Sequence, residues 1–471
     1  MILLKGEIMK ATEKLRKHDV DMCHGPLFIK IIKFFIPVML SNMLQLLYNA
    51  TDQAVVGRFA GSDALAAVGS TASLSNFIVC LVVGLSVGTN SVVARLYGSG
   101  NDKAVSRAVH TSMALSAICG IAVGAIGFIV CRPLLLLMGT QADVIDSAVL
   151  YMRISFAGFP LVAIYNFSSA VLRAIGDTKR PMLFLVVSGF INVVLNLVFV
   201  IKFHMGVAGV AVATIIAQTV SGFLTVRWLM RVDGSYKFYI SKLRIHKSEC
   251  VSIIRVGIPA GLQSSMFSIS NIVIQSGINS ISKAAVSGCA AAANVDNFVY
   301  QAVNSLYHAS LAFCGQNYGA KNYARIKKTV LYCTGIVTVV GLGVGTLVYL
   351  FAEPLLNIFI TDSPEAVMYG KERILLTCLP YFICGFMEVG CGALRGINHA
   401  LPALINSVFG ACFLRVVWIY TVFRAYPSIS VLFISYPVTW AVSAILHFAM
   451  FAYFFKKMQN VDGAKLTITS D

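Results

Sequence analysis

Long apolar runs, each broken by a short polar segment, repeat along the chain. The runs from Ala108 to Cys131, Thr329 to Phe351 and Leu432 to Phe455 carry no strict apolar/polar alternation, so they read as helices rather than as strands of a membrane barrel. A helix needs about 20 residues to cross the hydrocarbon core. On that measure the pattern predicts twelve spans, at about 31–57, 64–96, 104–131, 146–171, 182–201, 207–230, 251–280, 285–316, 329–351, 367–393, 402–423 and 430–455. The expected fold is all-α and polytopic.

Composition agrees with the pattern. Of 471 residues, 58% are hydrophobic and 12% charged, about half the charged share of a soluble domain. The net charge of +17 raises nucleic acid as a partner, but the placement of the basic residues argues against it. Of the 37 Lys and Arg, 28 fall on one side of the predicted spans, six on the other and three (Arg153, Arg373, Arg415) inside them. This bias puts both termini in the cytoplasm and requires an even number of spans. The 12 cysteines are scattered through apolar runs with no metal-ligand spacing, as expected of small core residues. The N-terminus, polar and basic, lacks the apolar stretch of a signal peptide.

The two halves of the chain repeat at a spacing of about 221 residues. Ile36-Pro37 returns as Ile258-Pro259, Asn76-Phe77 as Asn297-Phe298, and RLYGSGN (95–101) as QNYGAKN (316–322). RPLLLLM (132–138) returns as EPLLNIF (353–359), Arg153 with Pro160 as Arg373 with Pro380, and VLRAIGDTKRP (171–181) as ALRGINHALP (393–402). A shared order of matches is a duplication. A six-span unit re-enters from the same side, so the copies are related by a pseudo-two-fold axis along the membrane normal, with a substrate site expected where they meet. The expected organisation is an N-terminal cytoplasmic segment (1–30), an N-lobe of spans 1–6 (31–230), a cytoplasmic linker (231–250), a C-lobe of spans 7–12 (251–456) and a cytoplasmic tail (457–471).

Taken together, PVMLSNMLQLLYNATDQAVVGR, YGSGN, LRAIGDTKRPM and LRGINHALPA resemble the MATE (multidrug and toxic compound extrusion) family, over about residues 28 to 456. The resemblance implies a twelve-helix exporter that expels organic, often cationic compounds in exchange for protons or sodium ions. No cofactor beyond the coupling ion is expected, and the partners are small organic cations or drugs and the lipid bilayer, with the protein acting as a monomer in the cell membrane.

Acids inside spans are the candidate chemistry, because an ionised carboxylate in hydrocarbon must be neutralised, paired, hydrated or used. Asp52 stands six residues before Arg58, about 9 Å from the outer end of span 1. It is either an interfacial aspartate paired with Arg58 or a protonatable carboxylate for which a proton and a cationic substrate compete. The resemblance favours the second reading. It also places Tyr48 and Thr214 in a hydrogen-bonded cluster with Asp52, and it marks Pro37 as a point where span 1 can bend. Asn192 and Asn196 share a face of span 5, four apart; Asn196 stands where relatives often have a second aspartate. Interhelical glue is the plain alternative for these polar groups.

In the second half, Glu388 is expected either to pair with Arg395 or Arg415 or to form a cation site of its own. It does not stand at the family's sodium-site position in span 10, near Cys384. Asp296 is expected to be a helix-start cap or a ligand, and Arg153 and Arg373 to be structural. Asn49-Ala50-Thr51 and Asn166-Phe167-Ser168 fit the glycosylation pattern but lie inside spans. No phosphate loop, nucleophile elbow or catalytic constellation is present, which argues against ATP drive and against an enzyme. Export of a lipid-linked precursor or another endogenous metabolite is the same-fold alternative; for lipid-linked cargo, twelve spans and an acidic cavity argue against it.

Overall fold

A computed structural model describes residues 20–360 and 363–468. The predicted segment 1–30 therefore lies largely outside the described residues, as do the last residues of the tail. The described chain is helical, without strands among the described residues: α1 (Leu27–Phe59), α2 (Ser62–Gly98), α3 (Asp102–Leu137), α4 (Ile145–Ile175), α5 (Lys179–Leu197), α6 (Gly206–Arg231), α7 (Lys247–Asn279), α8 (Lys283–Gly319), α9 (Tyr323–Leu350), the short α10 (Ala352–Asn357), α11 (Pro364–Cys378), α12 (Tyr381–Gly396), α13 (Ala400–Ser407), α14 (Leu414–Trp418) and α15 (Ile429–Ile468). This is the twelve-helix, two-lobe layout that the repeat and the hydropathy pattern predict.

Three spans depart from simple rods. The tenth is broken: α11 and α12 meet at a 41° bend, where Pro380 lacks the N–H that would continue the ladder. The eleventh runs from Ala400 to Phe423 through two π-helical turns, Val408–Phe413 and Ile419–Phe423. A third π turn, Val198–Lys202, extends α5. The eighth, α8, has the length to cross but is not among the ten described helices apolar enough on their own. It carries Asn294, Asp296, Asn297, Gln301, Asn304 and His308, of which Asp296 is buried and Asn294 and Asn297 are exposed, a load that suits a helix lining protein or a water-filled cavity rather than lipid.

The chain forms two compact units, and two of their three borders fall inside helices. Among the described residues one unit takes 20–21 and 36–261, the other 22–35 together with 262 onward. Both borders in α1 and α7 sit beside the repeated Ile-Pro pair, Ile36-Pro37 and Ile258-Pro259. Within the first unit, Phe167, Leu172 and Leu229 are fully buried in a cluster reaching from α2 to α7. There α2 and α7 approach backbone to backbone: a Cβ on Gly84 would lie 2.2 Å from the nitrogen of Gly261, and one on Gly88 would lie 2.3 Å from the carbonyl oxygen of Ile253. Small residues four apart on both helices permit that approach.

The LRAIGDTKRP tract is a helix-to-helix corner. Gly176 ends α4 in the left-handed region, φ 101°, and a Cβ there would meet the Val20 carbonyl oxygen at 2.4 Å. Asp177 then accepts from the Arg180 backbone N–H and pairs with the Arg180 guanidinium, which lies 3.9 Å over the Trp228 ring. Burial pushes the Asp177 carboxyl up and the Arg180 charge opposes that shift. The family-like motif is thus built for a buried turn.

Candidate functional site: a closed hydrogen-bond ring on Asp52

Helical spacing sets the site. Asp52 projects from α1, Asn192 and Asn196 from one face of α5, and Thr214 from the third turn of α6. Asp52 is 6% exposed and both asparagines are 0% exposed. Asn196 Nδ2 donates to Asp52 Oδ1 at 2.6 Å and to Asn192 Oδ1 at 3.2 Å. Asn192 Nδ2 donates to Thr214 Oγ1 at 3.3 Å, and Thr214 Oγ1 donates to Asp52 Oδ2 at 2.9 Å. The four side chains close a ring.

Asp52 has both carboxyl oxygens engaged, one by the Asn196 amide and the other by the Thr214 hydroxyl. Its partners are neutral. The alternative of a pair with Arg58 is not what the structure holds: the Arg58 guanidinium lies 6.0 Å over the Phe59 ring. One acceptor in the ring stays without a protein partner, Asn196 Oδ1. It belongs to the same amide that donates to Asp52, and buried amide oxygens are normally paired.

Tyr48 is one turn before Asp52 but does not enter the ring. Its hydroxyl donates to the Leu185 carbonyl at 2.7 Å and meets Ser188 Oγ at 2.8 Å. Its ring lies against Gly189, where a Cβ would come within 2.9 Å of the phenol. Tyr48 therefore ties α1 to α5 one to two turns from Asn192. Pro37 lies inside an unbroken α1, and Ser41 Oγ caps its carbonyl at 2.8 Å.

The repeat places Ile274, Phe413, Val417 and Ser435 where the first half has Asp52, Asn192, Asn196 and Thr214. Ile274 is 3% exposed in an apolar cluster with Phe433. Among its described residues the second unit has no counterpart of the ring.

Its polar residues are arranged otherwise. Glu388, 4% exposed, accepts from Tyr300 at 3.4 Å, and Asn304 in turn donates to Tyr300. Of its two expected roles, the ion pair with Arg395 or Arg415 is not formed among the described residues. Arg395 donates to Tyr307 and to Gln263, while Arg415 reaches Asn271 and Thr439. Asp296 is not a cap: Ser282 caps α8 by accepting from Ala285 N at 3.0 Å, while Asp296 sits more than three turns further on. Instead Asp296 pairs with Arg373 at 3.1 Å and accepts from Thr377 at 3.2 Å. Arg373 also donates to the Cys289 carbonyl and lies 5.0 Å over the Phe433 ring. Arg153, its repeat mate, lies 5.3 Å over Phe128. The sequence offered a signal for the pair: Arg373 and Thr377 are four apart and face the same neighbour. Among the described residues no three His, Cys, Asp or Glu side chains converge as a metal site.

Comparison with known proteins places this geometry in context. The MatE family model matches residues 37–198 and again 259–421, one match in each half of the duplication. The probable multidrug resistance protein YoeA of Bacillus subtilis is 27% identical over 439 residues, covering 90% of this chain and 94% of that protein. An FAD transporter of Shewanella oneidensis is 25% identical over 404 residues, covering 82% and 86%. A solved structure of a multidrug resistance MATE family transporter in an outward-facing conformation superposes with a TM-score of 0.87 at 24% identity, covering 94% of this chain and 99% of that one.

Proposed function

The chain belongs to the MATE family of multi-pass membrane transporters, and from that premise we propose that it is a secondary active antiporter which exports organic, often cationic compounds in exchange for protons or sodium ions. The observation that carries the proposal is the ring: a buried carboxylate, Asp52, held by neutral donors alone.

An ionised carboxylate inside a membrane protein needs a positive partner. Asn196 and Thr214 orient Asp52 and lower the cost of its charge, but they do not neutralise it. A proton or a sodium ion does. The unpartnered Asn196 Oδ1 supplies what either ion would use. A proton on Asp52 makes the carboxyl a donor, and rotation of the Asn196 amide presents Oδ1 to accept it. A sodium ion would take Oδ1 as a ligand oxygen beside the carboxylate. Binding of the ion removes the charge that attracts a cationic substrate, so ion and substrate compete and exchange by alternating access. The π turn directly after Asn196 gives α5 local slack at this point, as π turns often do at functional sites.

The proposal has both termini in the cytoplasm and the monomer as the working unit. The relative named as an FAD transporter supports a second reading, in which the cargo is an endogenous metabolite.

The test is substrate efflux from proteoliposomes under an imposed proton or sodium gradient, with wild type and Asp52→Asn, using a cationic dye and FAD as separate cargoes. Gradient-driven efflux of the dye that Asp52→Asn loses supports the proposal. Normal gradient-driven efflux by Asp52→Asn refutes it. Efflux of FAD alone favours the second reading.

A further inference from the structure

The segment between α6 and α7, residues 232–246, has two faces. One is anchored. Val232, Tyr236 and Phe238 are buried in the first unit, with Tyr236 edge-on to Tyr97. The backbone N–H of Tyr239 donates to His110 Nε2 at 3.1 Å, and that of His246 donates to Thr111 Oγ1 at 3.1 Å. The two ends of the 239–246 stretch are thereby stapled to α3.

The other face is open and mixed. Tyr239, Ile240, Leu243 and Ile245 are 41–63% exposed, interleaved with the exposed Lys242, Arg244 and Lys247. Beneath them is a pocket of about 410 Å³ lined by Ser106, Arg107, Ser241, Lys242, Arg244 and His246. The nearby acids are taken: Glu249 pairs with Arg107 at 2.7 Å, and Asp233 with Lys237 at 3.0 Å. Among the described residues no carboxylate pairs with Lys242 or Arg244.

We propose that residues 239–246 are a docking surface for the headgroup of an anionic phospholipid. Lys242 and Arg244 take the phosphate at the mouth of the pocket, and Ile240, Leu243 and Ile245 meet the boundary of the acyl chains. Two features select a lipid over a soluble anion. Branched aliphatic side chains standing in water gain by entering the headgroup region, and a soluble polyanion gives them nothing. The segment also joins two membrane-spanning helices, α6 and α7, so it lies at the membrane surface, where basic residues attract anionic lipid.

The experiment is amide hydrogen exchange of the 239–246 stretch in the full-length protein, held in nanodiscs of phosphatidylcholine alone or with phosphatidylglycerol. The expected result is exchange slowed about fivefold by phosphatidylglycerol, the scale of one basic contact at an anionic surface. Lys242→Gln with Arg244→Gln removes the difference, while Lys456→Gln with Lys457→Gln keeps it. Equal exchange in the two lipids overturns the proposal, as does a difference that survives in the Lys242/Arg244 variant. Inorganic phosphate added to phosphatidylcholine nanodiscs leaves the stretch unprotected; protection equal to that from phosphatidylglycerol would assign the site to a soluble anion and overturn the lipid.

Discussion

Thr214 Oγ1 lies 2.9 Å from Asp52 Oδ2 and also accepts from Asn192, so one hydroxyl closes the ring that holds the carboxylate. Thr214→Val keeps the shape and removes the donor, leaving one oxygen of a buried carboxylate unsatisfied. Such a loss costs about 1–3 kcal/mol. Ion-driven efflux is expected to fall roughly tenfold and to recover in Thr214→Ser. The rate of dye efflux against ion concentration in proteoliposomes measures both variants.

The two asparagines differ in reach. Asn196 touches Asp52 directly, whereas Asn192 acts through Asn196 and Thr214. Asn196→Ala is therefore expected to impair gradient-driven efflux more than Asn192→Ala. The double variant should lose less than the sum of the single losses, because residues in one network are not additive. Equal single effects that simply add would show that the ring does not act as a unit.

Asp296 and Arg373 form a buried pair, with side chains 9% and 13% exposed. Removing one partner strands the other, at a cost of about 3–5 kcal/mol. Arg373→Met and Asp296→Leu should each lower the thermal midpoint of the purified protein by several degrees. Together they should lower it by less than either alone, since an apolar pair leaves no bare charge.

The α2–α7 crossing leaves no room for a side chain at Gly84 or Gly88. Gly88→Val is expected to abolish recovery of monodisperse protein, because the blocking atoms are backbone. Gly343, on α9, meets nothing within 4 Å. Gly343→Ala should be neutral or stabilising by up to about 1 kcal/mol. Size-exclusion profiles and thermal midpoints compare the two.

Long-period information was legible in the sequence. Twelve spans and the duplication follow from apolar runs and matched motifs, and both survive in the structure. Asn192 and Asn196 were legible as one face by helical spacing, whereas Asp52 and Thr214 joined them only through the family resemblance. The closure of the ring was not legible, because it depends on how α1, α5 and α6 are rotated against each other. Tyr48 shows that limit: its position one turn from Asp52 is the same on paper, yet its hydroxyl serves α5 backbone. The π turns at 198–202, 408–413 and 419–423 leave no mark in hydropathy, since one extra residue per turn changes no residue's polarity. For Glu388, charge spacing along the chain suggested a pair with Arg395, but helix packing assigned Arg395 to Tyr307 and Gln263; for Asp296, the start of α8 lies further upstream than the pattern suggested, which removes the cap reading.

Residues 22–35 belong with the half of the protein that begins at Leu262, although they precede the other half in the chain. During synthesis at about 5–20 residues per second, their packing partners arrive roughly 10–45 s later. Through that interval the start of α1 is threaded into the bilayer while its buried Ile31, Phe34 and Phe35 have only lipid and the insertion machinery to cover them. The order of assembly is thus not the order of the genetic message: the first helix is among the last to be completed.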